Sequence, residues 1–321
     1  MPLVTLSAAK RSRRTAIASI AAFAAAPSIG RAQTLEKIRF TGVATDDLTP
    51  VFYAIQNGLY KKAGLDVEFI GASSGTAATQ AIVSGTYEIG KGSSIASLVA
   101  HLRGLPLTII GNGAIWDPKN PFSQMLVASD SPYKTGADLN GKVASAAALN
   151  DLVELAIVAW VDKNGGDSKT MKWVEIPNSA SGAALIEHRT DVTMLNEPQV
   201  TAALATGKTR VLGEALSAIG EHFALTIYFS HNDWLAKHAD AAKAFDKVTY
   251  EAAQYTNTHR PETVEMMSGI TKIPIEVFRK MVRVAHSTST DPAMLQPVID
   301  VAAKYKNISR AFPAKEAYYN G

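Results

Sequence analysis

The polar residues best suited to binding or chemistry stand in short groups that directly follow predicted strands. Thr45-Asp46-Asp47-Leu48-Thr49-Pro50 follows a strand predicted at Ile38–Val43, and Ser73-Ser74-Gly75-Thr76 follows one at Leu65–Ile70. Carboxylates and hydroxyls in such positions cap the helix that follows, contact a bound molecule, or do both. The glycine lets the backbone approach a ligand closely. The candidate ligand-binding residues in these two groups are Asp46, Asp47, Thr49, Ser73, Ser74, Gly75 and Thr76.

A third group, Gly90-Lys91-Gly92-Ser93-Ser94, combines with Gly85 to give the Gly-x-x-x-x-Gly-Lys spacing of a phosphate-binding loop. The match fails because Gly92 replaces the Ser or Thr that such a loop needs for Mg²⁺. The predicted strand also lies between the two glycines instead of before the first. We therefore expect a loop at a ligand cleft, with a helix starting at Ser93 and Ser94. Lys91 is the one cation expected near the pocket, with a surface position as its alternative.

The second half of the chain repeats this chemistry. Asn150 and Asp151 precede a predicted helix, and Ser179 begins another after Pro177. Glu197 follows a strand, where a carboxylate suits a ligand N–H or ammonium group better than an anion, and a salt bridge that closes two lobes is its alternative. Two aromatic residues that could stack on a flat ligand complete the candidates, Trp116 and Tyr228.

Catalytic and metal chemistry find little support in the sequence. The chain has no cysteine, which removes thiol nucleophiles and thiolate metal ligands. Its seven histidines include no His-x-x-x-His pair. We expect no catalytic residue, no metal and no cofactor.

The elements that position these groups alternate between strand and helix. Further strands are predicted at Tyr87–Gly90 and Leu107–Gly111, with helices at Leu48–Lys62 and Ile95–Arg103, and the pattern recurs to about residue 212. Beyond Trp234 the sequence is almost all helical. This alternation predicts an α/β fold in which mainly parallel sheets carry helices on both faces.

Two segments are predicted to cross between lobes, near residues 116–124 and 217–226. One lobe then comprises residues 33–118 and 224–321, and the other comprises residues 119–223. Because ligands of open α/β sheets lodge at the carboxyl ends of strands, we expect the binding cleft between these lobes.

The first 32 residues are predicted to be a cleaved signal peptide. Basic residues precede a stretch of about eleven small or apolar residues, Ala16–Ala26, which is too short to span a bilayer. The pair Arg13-Arg14 fits the twin-arginine route, and the general secretory route is the alternative. The whole chain has a net charge of +3, but residues 33–321 hold 27 basic and 29 acidic residues, a net charge of −2. This balance gives no basic patch that would favour a nucleic-acid partner. The signal peptide predicts a periplasmic location.

Several segments together resemble the nitrate/sulfonate/taurine-type periplasmic substrate-binding proteins of ABC transporters. They are Phe52–Tyr60 with Ala63–Glu68, Ala81–Gly90, Arg103–Leu107, Ala137–Val143 and Thr190–Pro198. The resemblance implies a two-lobed periplasmic-binding-protein fold (type II-like), closing on a small-molecule ligand like a Venus flytrap. It also implies a monomer that delivers its solute to the permease of an ABC importer. The family often carries Gly-Ser where this chain has Ala147-Ala148-Leu149, so anion binding at that loop does not carry over.

Two other classes of function stay open. Enzymes share this scaffold, but the pyrimidine synthases and aromatic desulfinases need cysteine, and the futalosine-forming enzymes work in the cytoplasm. A receptor for a membrane sensor would have the same sequence features. For the ligand, the acidic residues Asp46, Asp47 and Glu197, opposed only by Lys91, favour a neutral or mixed-charge heterocycle such as a pyrimidine over the anions of the family.

Overall fold

The computed structural model describes residues 34–320. The predicted signal peptide lies outside these residues. Within them, no helix has both the length and the apolar character needed to cross a membrane.

Thirteen strands are present in this part of the chain. They are β1 (Glu36–Gly42), β2 (Leu65–Gly71), β3 (Ile89–Ser93), β4 (Leu107–Asn112), β5 (Ala114–Trp116), β6 (Ser123–Ala128), β7 (Val143–Ala146), β8 (Lys172–Glu175), β9 (Val192–Asn196), β10 (Thr209–Gly213), β11 (Phe223–Ala224), β12 (Thr226–His231) and β13 (Ala285–His286).

Twelve α-helices accompany them in residues 34–320. They are α1 (Thr49–Gln56), α2 (Leu59–Lys62), α3 (Gly75–Val83), α4 (Ser94–Leu102), α5 (Leu152–Lys163), α6 (Asn178–Ile186), α7 (Gln199–Ala205), α8 (Asn232–Leu235), α9 (Ala239–Thr258), α10 (Val264–Thr271), α11 (Ile275–Lys280) and α12 (Gln296–Lys304). Short 3₁₀ turns at Asp46–Leu48 and Ala215–Ala218 adjoin the cleft described below.

Two five-stranded sheets organise the protein. The first has the order β2-β1-β3-β12-β4, and its strand pairings make β12 antiparallel to the other four strands. The second has the order β10-β6-β9-β7-β8, with β6 antiparallel to the other four. Each sheet is therefore mixed, with four of its five strands running one way. The predicted α/β class with mainly parallel sheets is confirmed.

A small sheet of order β11-β5-β13 lies where the chain passes between the two large sheets. The chain leaves the first sheet through β5 and returns to it after β11, and Trp116 pairs with Phe223 across these two strands. The lobe boundaries at residues 118/119 and 223/224 stay a prediction.

Local backbone chemistry explains where the observed elements differ from the expected ones. The helix expected over Leu48–Lys62 is divided into α1 and α2 because Gly58 adopts a left-handed conformation with φ of 64°. The loop expected at Gly90–Gly92 is part of β3. A Cβ atom at Gly90 would lie 2.7 Å from the ring of Phe229, and one at Gly92 would lie 2.9 Å from it. These glycines make room for the aromatic ring of the neighbouring strand, a packing role that the phosphate-loop spacing conceals.

Candidate ligand-binding cleft

A cavity of about 1040 Å³ is lined by residues that follow strands of both large sheets. Its walls include the segment after β1, the starts of α3 and α4, the segment between β7 and α5, and the end of β9. Strands that run in one direction bring their carboxyl ends to one edge of a sheet, so the polar groups that follow them converge there. The volume is that of a site for a small organic molecule.

Ten of the sixteen predicted site residues line this cavity. They are Asp46, Asp47, Ser74, Gly75, Thr76, Lys91, Ser93, Asn150, Asp151 and Glu197.

The other six predicted site residues lie outside the cavity lining. Ser73 and Ser179 are exposed elsewhere, while Thr49, Ser94 and Trp116 are buried. Tyr228 is buried too, because β12 places its ring against Phe40 and Phe245, with centroids 6.0 and 5.8 Å apart. Both predicted aromatic contacts, Trp116 and Tyr228, are therefore core residues in this structure.

Lys91 lies at the centre of a buried polar cluster. Its side chain comes from β3, and the residue is only 7% exposed, so it does not take the surface alternative. The ammonium Nζ lies 2.5 Å from Asp47 Oδ2 and 3.3 Å from Thr45 Oγ1. Thr45 Oγ1 in turn donates to Asp47 Oδ1 over 2.5 Å. These contacts use two of the three donors of the ammonium group at the cavity wall.

Asp46 is held by Arg283, a residue that no local sequence pattern singles out. Arg283 lies just after α11, is 6% exposed, and places Nη2 2.6 Å and Nε 2.7 Å from Asp46 Oδ1. The backbone N–H of Val284 donates to Asp46 Oδ2 over 3.1 Å. Thr49, predicted to contact ligand, instead accepts from Arg283 Nη2 over 3.0 Å and donates to the carbonyl of Asp46.

These two ion pairs change the charge of the cleft. Asp46 is paired with Arg283 and Asp47 with Lys91, and a further cation, Arg103, lines the cavity. The expectation that Lys91 is the one cation near the pocket is therefore wrong. The acidic character that favoured a heterocycle over an anion is largely neutralised.

Helices α3, α4 and α5 begin at the cavity, and they differ in how their first turns are capped. Ser74 Oγ accepts from Ala77 N at the start of α3, and Asp151 Oδ1 accepts from Val153 N and Glu154 N at the start of α5. The side chain of Ser93 makes no capping bond to α4. The first turn of α4 therefore keeps N–H groups without a side-chain cap at the cavity wall, and the helix dipole makes this end electropositive.

Burial also affects one of the capping carboxylates. Removal from water raises the pKa of Asp151 to about 6, although the two N–H groups that it accepts from act in the opposite direction. Asp151 therefore gains a proton more readily than an exposed aspartate as the pH falls.

Glu197 links the second sheet to the segment that carries Arg283. Its carboxylate accepts from Thr201 N and Oγ1, both over 2.9 Å, and from Val282 N over 3.3 Å. The expected alternative was a salt bridge between lobes, but the distant partner is a backbone N–H group. No ion pair forms at Glu197 within residues 34–320.

The apolar residues of the cavity lining were not predicted from the sequence. Ile95, Val99, Leu152, Val153 and Leu216 form much of the wall between the polar groups. The helical spacing of Ile95 and Val99 was a usable signal, because it places both on one face of α4. Within residues 34–320 no group of three or more His, Asp or Glu side chains is arranged to hold a metal ion.

The arrangement of two sheets around one cleft is that of periplasmic binding proteins. The periplasmic aliphatic sulphonate binding protein SsuA from Escherichia coli superposes with a TM-score of 0.73 at 17% identity, covering 89% of this chain and 92% of that one. The periplasmic nitrate-binding protein NrtA from Synechocystis PCC 6803 gives 0.70 at 15%, covering 88% and 84%. A ligand-binding component of an ABC-type import system from Staphylococcus aureus, with zinc bound, gives 0.74 at 13%, covering 88% and 96%. The predicted two-lobed periplasmic-binding-protein fold is confirmed.

The family follows from the sequence. Residues 45–263 match the family described as NMT1/THI5 like, a stretch that covers most of the chain. A comparison with curated protein sequences finds no match. The chain belongs to the NMT1/THI5-like family, and the expected resemblance to sulfonate- and nitrate-type periplasmic binding proteins is confirmed.

Proposed function

We propose that this protein is an exported solute-binding protein that captures a small organic or anionic molecule in the cleft and delivers it to the permease of an ABC importer. The observation that carries the proposal is the cavity itself, which is lined by strand-end groups from both sheets. A sulphonate-binding and a nitrate-binding periplasmic protein share the fold, which supports the same role here. The predicted signal peptide supports a periplasmic location.

The cleft supports binding more than catalysis. Its four carboxylates are each held by protein partners: Asp46 by Arg283, Asp47 by Lys91, Asp151 by its own helix, and Glu197 by Thr201. Groups fixed in this way present a preorganised polar surface to a ligand. The protein acts as a monomer and performs no chemistry on its solute.

Delivery requires that bound and free proteins differ in shape. A ligand shifts a conformational equilibrium only by its difference in affinity for the two states. A solute that touches Lys91 on one side and the β7–α5 segment on the other therefore stabilises a closed form. Closure presents the outer faces of both lobes to the permease.

A thermal-denaturation screen tests this function. Residues 33–321 are heated with alkanesulfonates, nitrate, pyrimidines, aromatic acids and amino acids. A true ligand at 100 times its Kd adds about 2.7 kcal/mol to the free energy of unfolding. The double variant Lys91→Met with Asp47→Asn removes the buried ion pair without leaving a lone charge, and it should lose most of this ligand-induced stabilisation.

Lys62→Met is the matched control, because Lys62 is exposed at the end of α2, outside the cavity lining. It should keep the full ligand response. An equal response in the Lys91 double variant would place the ligand elsewhere. Turnover of a ligand by the purified protein would contradict the binding role.

A further inference from the structure

Helix α4 lines the cavity from one end of the helix to the other. The lining residues Ser93, Ile95, Ala96, Val99, Ala100 and Arg103 recur at the spacing of one helical face. From Ser94 to Arg103 the helix advances roughly 14 Å at 1.5 Å per residue. The cavity therefore extends along the whole length of α4.

Apolar side chains form part of the cavity wall between its polar groups. Val99 of α4 faces the cavity on one wall, and Leu152, Val153 and Leu216 line it as well. A compact ion such as nitrate, bound at one end, would leave this stretch in contact with water. A ligand that covers it gains about fourfold in affinity for each methylene group removed from water.

The cavity wall differs in charge between the two ends of α4. At the start of α4, Lys91 is neutralised by Asp47, and the nearby Asp46 by Arg283. At the far end, Arg103 is exposed and lines the cavity, and its side chain makes no hydrogen bond or ion pair to any residue in 34–320. A guanidinium group offers a planar set of donors that fits a carboxylate or a sulfonate.

We infer that the solute is an elongated organic anion, with an uncharged polar group beside Lys91, an apolar body along α4, and a carboxylate or sulfonate at Arg103. The inference rests on the proposed function and assigns the chemical class of its ligand. Arg103 is then a specificity-determining residue that selects for length and charge together.

Calorimetric titration with a series of ω-hydroxycarboxylates of increasing chain length tests this assignment. Affinity should rise with each added methylene until the molecule spans the cavity. The variant Arg103→Gln should lower the affinity for the longest members about fivefold, the upper range for an exposed ion pair. It should leave the shortest members unchanged, because their carboxylate does not reach Arg103.

Two controls make the result specific. Diols of the same length lack the anion, so they should bind more weakly and respond equally in the wild type and in Arg103→Gln. Arg279→Gln removes an exposed arginine outside the cavity and should change nothing. The inference is overturned if affinity does not increase with length, if Arg103→Gln binds every chain like the wild type, or if no member of the series binds.

These failures are distinguishable from failure of the proposed function. If a compound of the thermal screen binds in a Lys91-dependent way while Arg103→Gln has no effect, solute binding stands and the elongated anion is wrong. If no compound of either set binds, the solute-binding function itself is contradicted.

Discussion

Arg283 Nη2 lies 2.6 Å from Asp46 Oδ1, although the two residues are 237 positions apart in the chain. This ion pair links the segment after α11 to the 3₁₀ turn Asp46–Leu48, which adjoins the cleft. The guanidinium also stacks over the ring of Phe278, 4.7 Å from its centroid. Both charged side chains are nearly buried, so each depends on the other for the interactions that water would otherwise supply.

Removing one member of this pair should lower the free energy of unfolding strongly, and removing both members should lower it less. Arg283→Met leaves Asp46 as an unpaired, nearly buried carboxylate and should lower the free energy of unfolding by about 3–5 kcal/mol, as measured by urea denaturation. Adding Asp46→Asn should recover part of this loss. As a control, Arg279→Met breaks an exposed pair with Glu276 and should change stability by less than about 1 kcal/mol. Equal stability of the single and double variants would contradict this account.

The glycines of β3 give a second prediction. A Cβ atom at Gly90 would lie 2.7 Å from both Ile82 and Phe229, so Gly90→Ala should destabilise the protein by about 1–3 kcal/mol through overpacking. Gly269→Ala is the matched control. No atom lies within 4 Å of its added Cβ, and the residue is in helix α10, so this change should stabilise the protein by roughly 0.5–1 kcal/mol. If Gly90→Ala leaves the free energy of unfolding unchanged, β3 does not pack against Phe229 as described.

Much of the polar cavity lining was predictable because its groups follow strands. Asp46, Ser74 and Asn150 each follow a predicted strand, and all three line the cavity. A strand followed by a polar turn is a local pattern, and the near-uniform strand direction brings such turns together. Local patterns of this kind can be read from one sequence.

What could not be predicted depends on contacts between distant segments. No local signal ties Arg283 to Asp46 or buries Lys91 beside Asp47. Tyr228 was misjudged for a similar reason, since only the tertiary packing of Phe40 and Phe245 around it shows that it belongs to the core. The net charge of the cleft follows from such pairings, so it could not be predicted from residue types alone.

His286 should make stability depend on pH. Burial lowers its pKa to about 4, and its Nδ1 and Nε2 lie 3.1 Å from Asn257 Oδ1 and 3.3 Å from Asp46 O. Between about pH 6.5 and pH 4 the unfolded chain takes up a proton at this side chain and the folded protein does not. The free energy of unfolding is therefore unaffected by His286 above pH 6.5. It falls by about 3 kcal/mol in all as the pH decreases from 6.5 to 4.

The comparison of wild type with His286→Gln between pH 4 and pH 7 isolates this effect, because the variant should lose the slope. Asp246, whose buried carboxyl has its pKa raised to about 7, contributes an opposite slope to both proteins, and it cancels in the difference. His188→Gln alters an exposed histidine and should keep the wild-type slope. Parallel curves for wild type and His286→Gln would contradict the prediction.

Native mass spectrometry of the purified protein tests the central claim most directly. We predict that residues 33–321 carry one small organic molecule per chain, either retained from the cell or added from the screen. The double variant Lys91→Met with Asp47→Asn should lose it, and Lys62→Met should keep it. A protein that shows no added mass with any compound, or the same added mass when the Lys91–Asp47 pair is removed, would contradict capture of a solute in this cleft.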